Sequence, residues 1–420
     1  MKCVMNRGVY LRADGRLPCY CGSGETITLG TLPREIGAKD FTEEYYFNPR
    51  FSQIRSKMAE DLVPWPGVCD QCTYLDPDGA FEPNLLSSEL EWFHWEPAYL
   101  CNLECEWCLG QRSGNGASGR RLLSLDLFEH VVKSLAHHGF RLKMGNICGV
   151  GEPTLNPDLW RQVKLVKDRL GGDILISTNG NGPFHEGLVT SGLTKIKIAV
   201  DAVDQAAYER YRRQGSLAKA LAFTRRVAET KARLGADHPL IIWQYILFNH
   251  NDSDRELRQW QQMALDNGVN KVRLVFTRCN NYSLRTPEDV PRLFPEIELM
   301  PIGRDSRMSL FEVRRCWEAI VGLTGSDPRQ AARASIKLAN RIYHRLALGV
   351  KTYRQLLSLV RGLHHFRDGN ALEIPSDEFK EYVAFISRVF LHLEGIYSNL
   401  GLTDQAEGYR RYRQSAGLLN

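Results

Sequence analysis

Six short apolar runs that alternate with helical stretches between residues 91 and 280 constrain the fold of this chain most strongly. The runs read WFHWEPAYL, RLKMGNICGV, DILISTNG, KIKIAVDA, PLIIWQYILF and KVRLVFTR, and helical patterns such as NPDLWRQVKLVKDRL lie between them. Strands that alternate with helices build a parallel sheet from β–α units. The sequence therefore predicts an α/β fold, a partial (β/α)6 TIM-like barrel with its functional groups at the carboxyl ends of the strands.

The regions on either side of this segment have different patterns. Residues 1–90 are rich in loops and cysteines, with one helical stretch, PRFSQIRSKMAEDL. Beyond the barrel, RQAARASIKLANRIYHRLALG and SDEFKEYVAFISRVFLHLEGIY repeat apolar residues at helical spacing. We therefore predict three domains: a small cysteine-rich domain over 1–90, the partial barrel over 91–285, and a helical domain over 286–420 that serves as a substrate lid or dock.

Composition excludes several classes of protein. Hydrophobic residues make up 43% of the chain and charged residues 25%, as in soluble globular proteins. The longest apolar run is far shorter than the roughly 20 residues that span a bilayer, and the N-terminus lacks the apolar core of a secretory signal. We expect a cytoplasmic protein, in which clustered cysteines bind metal or do redox chemistry more often than they form disulfides.

The segment CNLECEWC places three cysteines, Cys101, Cys105 and Cys108, in the loop after the first predicted strand. A closed tetrahedral zinc site needs four protein ligands. Three thiolates suit a 4Fe–4S cluster that keeps one iron open to a small molecule. A structural zinc site or a mixed disulfide site remains the alternative.

This spacing, with Trp107 before the last cysteine, resembles the signature of the radical S-adenosylmethionine (radical SAM) superfamily. The resemblance extends over about residues 91–280, through CGVGEPTLNP, in which Val150 replaces the first glycine of a Gly-Gly-Glu element, and through ISTNG and IAVDAVDQAAYERYR. It implies that Cys101, Cys105 and Cys108 hold a 4Fe–4S cluster. The residues that it implies for S-adenosylmethionine binding are Trp107, Gly151, Glu152, Ser177, Thr178 and Asn179, with Asp201 and Gln244 as further candidates at strand ends.

The cysteines of the first 72 residues resemble those of SPASM or Twitch auxiliary-cluster domains. By that resemblance Cys3, Cys19, Cys69 and Cys72 hold a second 4Fe–4S cluster, with Cys21 as a spare or alternative ligand. The domain precedes the barrel here, whereas in the family it follows. Four cysteines paired across a long insertion also suit zinc, so both metals stay open.

The resemblance implies reductive cleavage of S-adenosylmethionine to a 5'-deoxyadenosyl radical, which abstracts hydrogen from a substrate. The auxiliary cluster would assist electron transfer, and flavodoxin or ferredoxin would supply electrons. The expected substrate is an undetermined small molecule or sugar, and an anionic one if the basic stretch 304–367, with thirteen Arg and Lys against four acids, is a dock and not a solvated helical face. The alternatives are a peptide or protein maturase and a non-catalytic iron–sulfur or zinc protein.

Two further expectations concern the substrate site. Cys279 follows the last predicted strand and would donate hydrogen to a product radical, or else be a small packing thiol. The basic stretch lacks aromatic residues interleaved at stacking density, so nucleic acid is not an expected partner.

Overall fold

In the computed structural model, the described residues of the first part of the chain form short strands, one α-helix, a π-helical turn at Thr42–Tyr46 and a 3-10 turn at Cys69–Gln71. The strands are β1 (Lys2–Cys3), β2 (Gly8–Leu11), β3 (Arg16–Pro18), β4 (Thr28–Thr31) and β5 (Leu75–Asp76), and the helix is α1 (Pro49–Ala59). Helix α1 begins where the Asn48 side chain accepts hydrogen bonds from the backbone N–H groups of Arg50 and Phe51, at 2.9 and 3.0 Å. The structure describes residues 2–3, 7–19, 27–33, 40–72, 75–79, 88–106, 108, 122–276, 283, 285, 298–299, 310–346 and 376–416.

Six parallel strands and their connecting helices form the central barrel. The strands are β6 (Glu89–Trp95), β7 (Arg141–Ile147), β8 (Asp173–Thr178), β9 (Lys195–Ala199), β10 (Leu240–Leu247) and β11 (Lys271–Phe276). The helices between them are α2 (Leu125–His137), α3 (Leu159–Arg169), α4 (Gly187–Thr190), α5 (Gln205–Tyr211), α6 (Leu217–Leu234) and α7 (Asp254–Asp266). Each strand pairs in parallel with the next along the chain. The predicted α/β partial barrel is confirmed.

The N-terminal segment adds a strand to the edge of this sheet. Strand β2 runs parallel to β6, with Gly8 opposite Trp92 and Leu11 opposite Trp95. At the other edge β12 (Glu298–Leu299) pairs in parallel with β11. Within the described residues the sheet therefore has eight strands.

The two faces of the barrel sheet differ in polarity. Ile196 and Ile198 are fully buried and share one hydrophobic core with Val227 of helix α6. Because side chains alternate along a strand, the intervening residues point to the opposite, inner face. The inner face carries Ser177, Lys197, Gln244 and Arg273 on strands β8 to β11. The same face also carries Leu175, Ala199 and Ile242, so it mixes polar and charged side chains with apolar ones.

A second hydrophobic core joins the N-terminal segment to the C-terminal helices. Those helices are α8 (Leu310–Leu323), α9 (Pro328–Leu346), α10 (Ser376–Asn399) and α11 (Thr403–Ala416). Phe51 and Met58 of α1 lie in the same buried cluster as Ile336 of α9 and Phe390 of α10. The first and third predicted regions thus share one core, and the division into three domains stays a prediction. No helix within the described ranges is both long and apolar enough to cross a bilayer.

Candidate active site

The three cysteines of the central motif lie in the loop after β6, at the carboxyl edge of the sheet. Cys101 is exposed, Cys105 is buried and Cys108 is half-buried, and all three are free thiols. The backbone N–H of Cys108 donates to the carbonyl of Cys105 at 3.1 Å. Burial raises the pKa of Cys101 and raises that of Cys105 to about 11, with a smaller contribution from the neighbouring cysteines. These thiols therefore need a cationic partner to ionise, and a metal cluster is such a partner.

The described residues hold no ready-made site for a metal ion among their His, Cys, Asp and Glu side chains. A 4Fe–4S cluster binds its cysteines at separate irons, and its fit rests on the donor chemistry: three free thiols on one loop, close enough to affect one another's pKa. The residues present fit that group.

Glu152 is the buried centre of the site, with 3% of its surface exposed. Its Oε1 accepts hydrogen bonds from Thr154 N at 3.1 Å, Thr154 Oγ1 at 2.6 Å and Thr178 Oγ1 at 2.6 Å. Its Oε2 accepts from Asn179 N at 2.8 Å. A carboxylate oxygen can accept more than one hydrogen bond, so Oε2 keeps capacity for a further donor.

An asparagine network connects strand β8 to the cysteine loop. Asn179 Nδ2 lies 3.7 Å from Cys101 Sγ and donates to Asn102 Oδ1 at 3.0 Å. Asn102 Nδ2 in turn donates to the carbonyl of Asn181 at 3.0 Å, and Asn181 N donates to Asn179 Oδ1 at 2.7 Å. The network fixes the end of β8 against the first cysteine.

Gly151 sits where no side chain fits. A Cβ at this position would lie 2.2 Å from the carbonyl oxygen of Ala98 and 2.6 Å from that of Leu100. The backbone N–H of Glu152 donates to the Leu100 carbonyl at 2.8 Å. Gly151 therefore allows β7 and its loop to approach the segment that leads into Cys101, a contact not foreseen from the sequence.

Asp201 follows β9 and is held by protein groups. Its Oδ2 accepts a hydrogen bond from Arg212 Nε, and its Oδ1 accepts one from Ile246 N at 2.7 Å. Arg212 Nη1 lies 3.9 Å from Cys105 Sγ. Burial raises the pKa of Asp201, while the Arg212 charge opposes that rise. Asp201 thus positions an arginine beside a cysteine of the motif, and a direct ligand contact for Asp201 stays a prediction.

The remaining predicted residues of the barrel lie on both faces of the sheet. Thr178 is buried, and its hydroxyl donates a hydrogen bond to Glu152. Ser177 points to the inner face, opposite Lys197, and Gln244 lies there between Ala199 and Arg273. Of the predicted site residues, Trp107, Cys21 and Cys279 lie outside the described residues.

Arg212 and Lys197 were not among the residues expected from the sequence. A signal for Lys197 was present, because KIKIA places lysines on a face that an ordinary parallel sheet would fill with apolar residues. The partner of Arg212 is eleven residues away and could not be assigned without coordinates.

The four N-terminal cysteines come together on the second core. Cys3, Cys19, Cys69 and Cys72 are half-buried and pack against it. Cys72 N donates to the Cys69 carbonyl at 3.0 Å. Burial, followed by the proximity of Cys19 and Cys3, raises the pKa of Cys69 well above that of a free thiol. Cys3, Cys19 and Cys69 therefore lie close enough to affect the pKa of Cys69, but the described residues form no three-ligand site for a single metal ion, so the four-cysteine cluster or zinc site stays a prediction.

Comparisons with known proteins point to one superfamily. The model described as the radical SAM superfamily matches residues 95–257. A GTP 3',8-cyclase from Alkaliphilus metalliredigens is 29% identical over 243 residues, which cover 56% of this chain and 65% of the relative. A probable GTP 3',8-cyclase from Methanococcus maripaludis is 29% identical over 120 residues, 28% of this chain and 38% of the relative. The chain thus spans less than two thirds of either relative.

Among solved structures, a radical SAM methyltransferase from Sphaerobacter thermophilus is similar to this chain with a TM-score of 0.38 and 18% identity. The similarity covers 50% of this chain and 65% of the methyltransferase.

Proposed function

We propose that this chain, whose residues 95–257 match the radical SAM superfamily model, is an enzyme that abstracts hydrogen from a small-molecule substrate after reductive cleavage of S-adenosylmethionine. Cys101, Cys105 and Cys108 would hold the 4Fe–4S cluster. When bound, that cluster supplies one electron to the sulfonium of S-adenosylmethionine, whose cleavage yields a 5'-deoxyadenosyl radical. The chain's own residues bind and orient the reactants around it.

The observation that carries the proposal is the set of hydrogen bonds around Glu152. The backbone N–H of Glu152 donates a hydrogen bond to the carbonyl of Leu100, directly before Cys101. Its carboxylate accepts hydrogen bonds from Thr178 and Asn179 at the end of β8. Three neighbouring strand ends are thereby fixed around one cysteine sulfur. A buried carboxylate with one oxygen still able to accept a hydrogen bond suits the ammonium group of S-adenosylmethionine.

Other groups of this edge would complete the site. Asn179 and Ser177 offer amide and hydroxyl groups to the ribose or carboxylate of the nucleotide. Arg212 carries a positive charge beside Cys105. The family resemblance assigns Trp107 to the nucleotide, and the sequence position of Cys279 after the last strand makes it a candidate hydrogen donor; both lie outside the described residues, and both assignments stay predictions.

The N-terminal cysteines would hold an auxiliary 4Fe–4S cluster that exchanges electrons with the reaction. All four ligands come from the protein in that assignment, so the cluster would not bind S-adenosylmethionine. Flavodoxin or ferredoxin would supply the electrons. The relatives named for GTP make a phosphorylated small molecule the first substrate class to test.

Anaerobic reconstitution with iron and sulfide tests the proposal. The wild-type protein should bind about eight irons per chain and release 5'-deoxyadenosine when S-adenosylmethionine and dithionite are added. Cys105→Ser should lose about four irons and all cleavage. Cys316→Ser is the matched control, because Cys316 lies in helix α8 and packs against the second core. A wild-type protein with a full complement of iron but no cleavage would indicate a non-catalytic iron–sulfur protein.

A further inference from the structure

Two cations lie on the inner face of the barrel, on strands β9 and β11, with strand β10 between them. Lys197 on β9 is opposite Ser177 on β8, and Arg273 on β11 is opposite Gln244 on β10. Both are partly buried. Burial, followed by the positive charge of Arg273, lowers the pKa of Lys197 to about 8. The two charges are therefore close enough to repel each other.

Two buried arginines, one after strand β2 and one after helix α5, have acidic partners. Arg12 lies 3.8 Å from both Asp14 and Glu96. Arg212 is paired with Asp201. Buried charge is costly unless it is paired, and these two arginines follow that rule.

Lys197 and Arg273 do not follow the rule that buried charges are paired. Among the described residues neither makes an ion pair or a hydrogen bond. Two buried acids of the barrel are engaged by other residues, since Glu96 is hydrogen-bonded to Tyr10 and Asp201 is paired with Arg212. Cys148 would attract Lys197 only as a thiolate, and burial raises the pKa of the Cys148 thiol. A pair of cations without a counter-ion fits a site that takes its anion from a ligand.

The position of the pair relates it to the nucleotide site. Ser177, opposite Lys197, directly precedes Thr178 and Asn179, which bond Glu152. Residues along a strand are spaced by about 3.3 Å, so a ligand group at Lys197 would lie within about 7 Å, along the strand, of the residues around Glu152. A small molecule anchored there would keep its carbon skeleton at the carboxyl edge of the barrel.

We propose that Lys197 and Arg273 bind the phosphate group of a small-molecule substrate. This inference rests on the proposed function and adds to it the residues that would bind the substrate's phosphate. Arginine presents a planar fork of donors that matches phosphate, and lysine adds a point charge. Two positive charges complement one phosphate dianion, whereas an uncharged sugar would leave both unpaired.

Isothermal titration of the reconstituted holoenzyme with inorganic phosphate, at constant ionic strength and with S-adenosylmethionine present, tests the site. Lys197→Met and Arg273→Met should each weaken phosphate binding by about tenfold or more, because each removes a charged hydrogen-bond donor. Lys195→Met should bind phosphate like the wild type. Lys195 lies on the same strand, but its ammonium group is 3.8 Å from the Asp173 carboxylate.

A further variant distinguishes an effect of charge from an effect of packing, and a second ligand distinguishes phosphate binding from carboxylate binding. Lys197→Arg should keep most of the phosphate affinity; a loss as large as that of Lys197→Met would overturn the proposal. Malonate that binds more tightly than phosphate would overturn the assignment to phosphate. Equal phosphate binding by the wild type and both methionine variants, or none by the wild type, would overturn the site itself. Iron content of each variant verifies its fold.

Failure of this inference is distinguishable from failure of the proposed function. Release of 5'-deoxyadenosine by the wild type without phosphate reports on the proposed function alone. Phosphate titration of the same preparation reports on Lys197 and Arg273.

Discussion

Arg212 holds its guanidinium between a carboxylate and a cysteine of the central motif: Nε donates to Asp201, and Nη1 lies 3.9 Å from Cys105 Sγ. A positive charge beside a cysteine ligand favours the more negative, reduced state of a cluster. The pair Asp201–Arg212 thereby gives the barrel a means to adjust the ease of electron uptake at its edge.

Removal of this charge should make the cluster harder to reduce. Arg212→Met is expected to move the midpoint potential to more negative values in a redox titration followed by electron paramagnetic resonance. Arg233→Met is the control, because Arg233 pairs with Glu186 on the surface. A midpoint potential in Arg212→Met equal to that of the control would show that the arginine does not act on the cluster.

Loss of the Thr178 hydroxyl should weaken nucleotide binding through Glu152. Thr178→Val keeps the shape of the side chain but removes the donor at 2.6 Å from Glu152 Oε1. A hydrogen bond to a charged group contributes about 1.5–3 kcal/mol, and Glu152 Oε1 would keep only its two bonds from Thr154, so the carboxylate would be held less firmly and S-adenosylmethionine affinity should fall by about tenfold.

Thr224→Val provides the comparison for Thr178→Val. Thr224 is also buried, but its hydroxyl donates to Ala220 and accepts from Trp243. This variant should lose stability in thermal unfolding while its nucleotide affinity stays unchanged. Equal nucleotide affinities in the two variants would argue against a role for Thr178 in orienting Glu152.

Substitution of Gly151 should disturb the cysteine loop. A methyl group in Gly151→Ala would collide with the Ala98 and Leu100 carbonyls, and the segment before Cys101 would have to move. The expected result is reduced iron at the central cluster after reconstitution. Gly322→Ala, in helix α8 with open space around its Cβ, should keep the wild-type iron content. Normal iron in Gly151→Ala would contradict the tight approach.

Phosphate binding should depend on pH through Lys197. Its pKa in the folded protein, lowered to about 8, means that the ammonium group is lost as pH rises through that value. Wild-type phosphate affinity should therefore fall above about pH 8, whereas Lys197→Met should be weak throughout and show no such fall. A parallel decline in both proteins would assign the titration to another group.

The same shift predicts a change in stability with pH. Because the folded-state pKa is below that of an unfolded lysine, the unfolded chain binds more protons between about pH 8 and 10.5. The free energy of unfolding should rise through this window in the wild type relative to Lys197→Met. Denaturant titrations of the two proteins, without phosphate, measure the difference.

The auxiliary site should be separable from the central one. Cys69→Ser is expected to lose about four irons per chain and to retain the signal of the central cluster. Cys69 packs against the core shared by α1 and the C-terminal helices, so the thermal unfolding midpoint of Cys69→Ser should also be lower than that of the wild type. Zinc in the purified protein in place of the second set of irons would decide for the zinc alternative.

Sequence patterns predicted the sheet because the signal in each strand was local. The run DILISTNG became β8 and KIKIAVDA became β9, each ending within a few residues of the predicted end. Glycine and polar residues after each apolar run indicated where the strand ends. The edge strand β2 was not predicted, because four residues, Gly8–Leu11, pair with a strand more than eighty positions away.

Long-range pairing also explains which site residues were missed. Glu152 and Asn179 follow strand ends and were predicted from the motif. The hydrogen bond from Thr178 to Glu152 could not be predicted, because it depends on how strands β7 and β8 lie relative to each other. Arg212 ends the quoted run IAVDAVDQAAYERYR, but the run alone does not show that its guanidinium lies between Asp201 and Cys105. The common core of α1 and the C-terminal helices depends on contacts across hundreds of residues, which apolar spacing cannot assign to partners.

Electron paramagnetic resonance of the dithionite-reduced protein, with and without S-adenosylmethionine, tests the central cluster most directly. The wild type should give a 4Fe–4S signal that changes shape and g values when S-adenosylmethionine is added. Cys105→Ser should lack this responsive signal, and Cys316→Ser should keep it. A wild-type spectrum without a responsive 4Fe–4S signal would contradict the assignment of Cys101, Cys105 and Cys108.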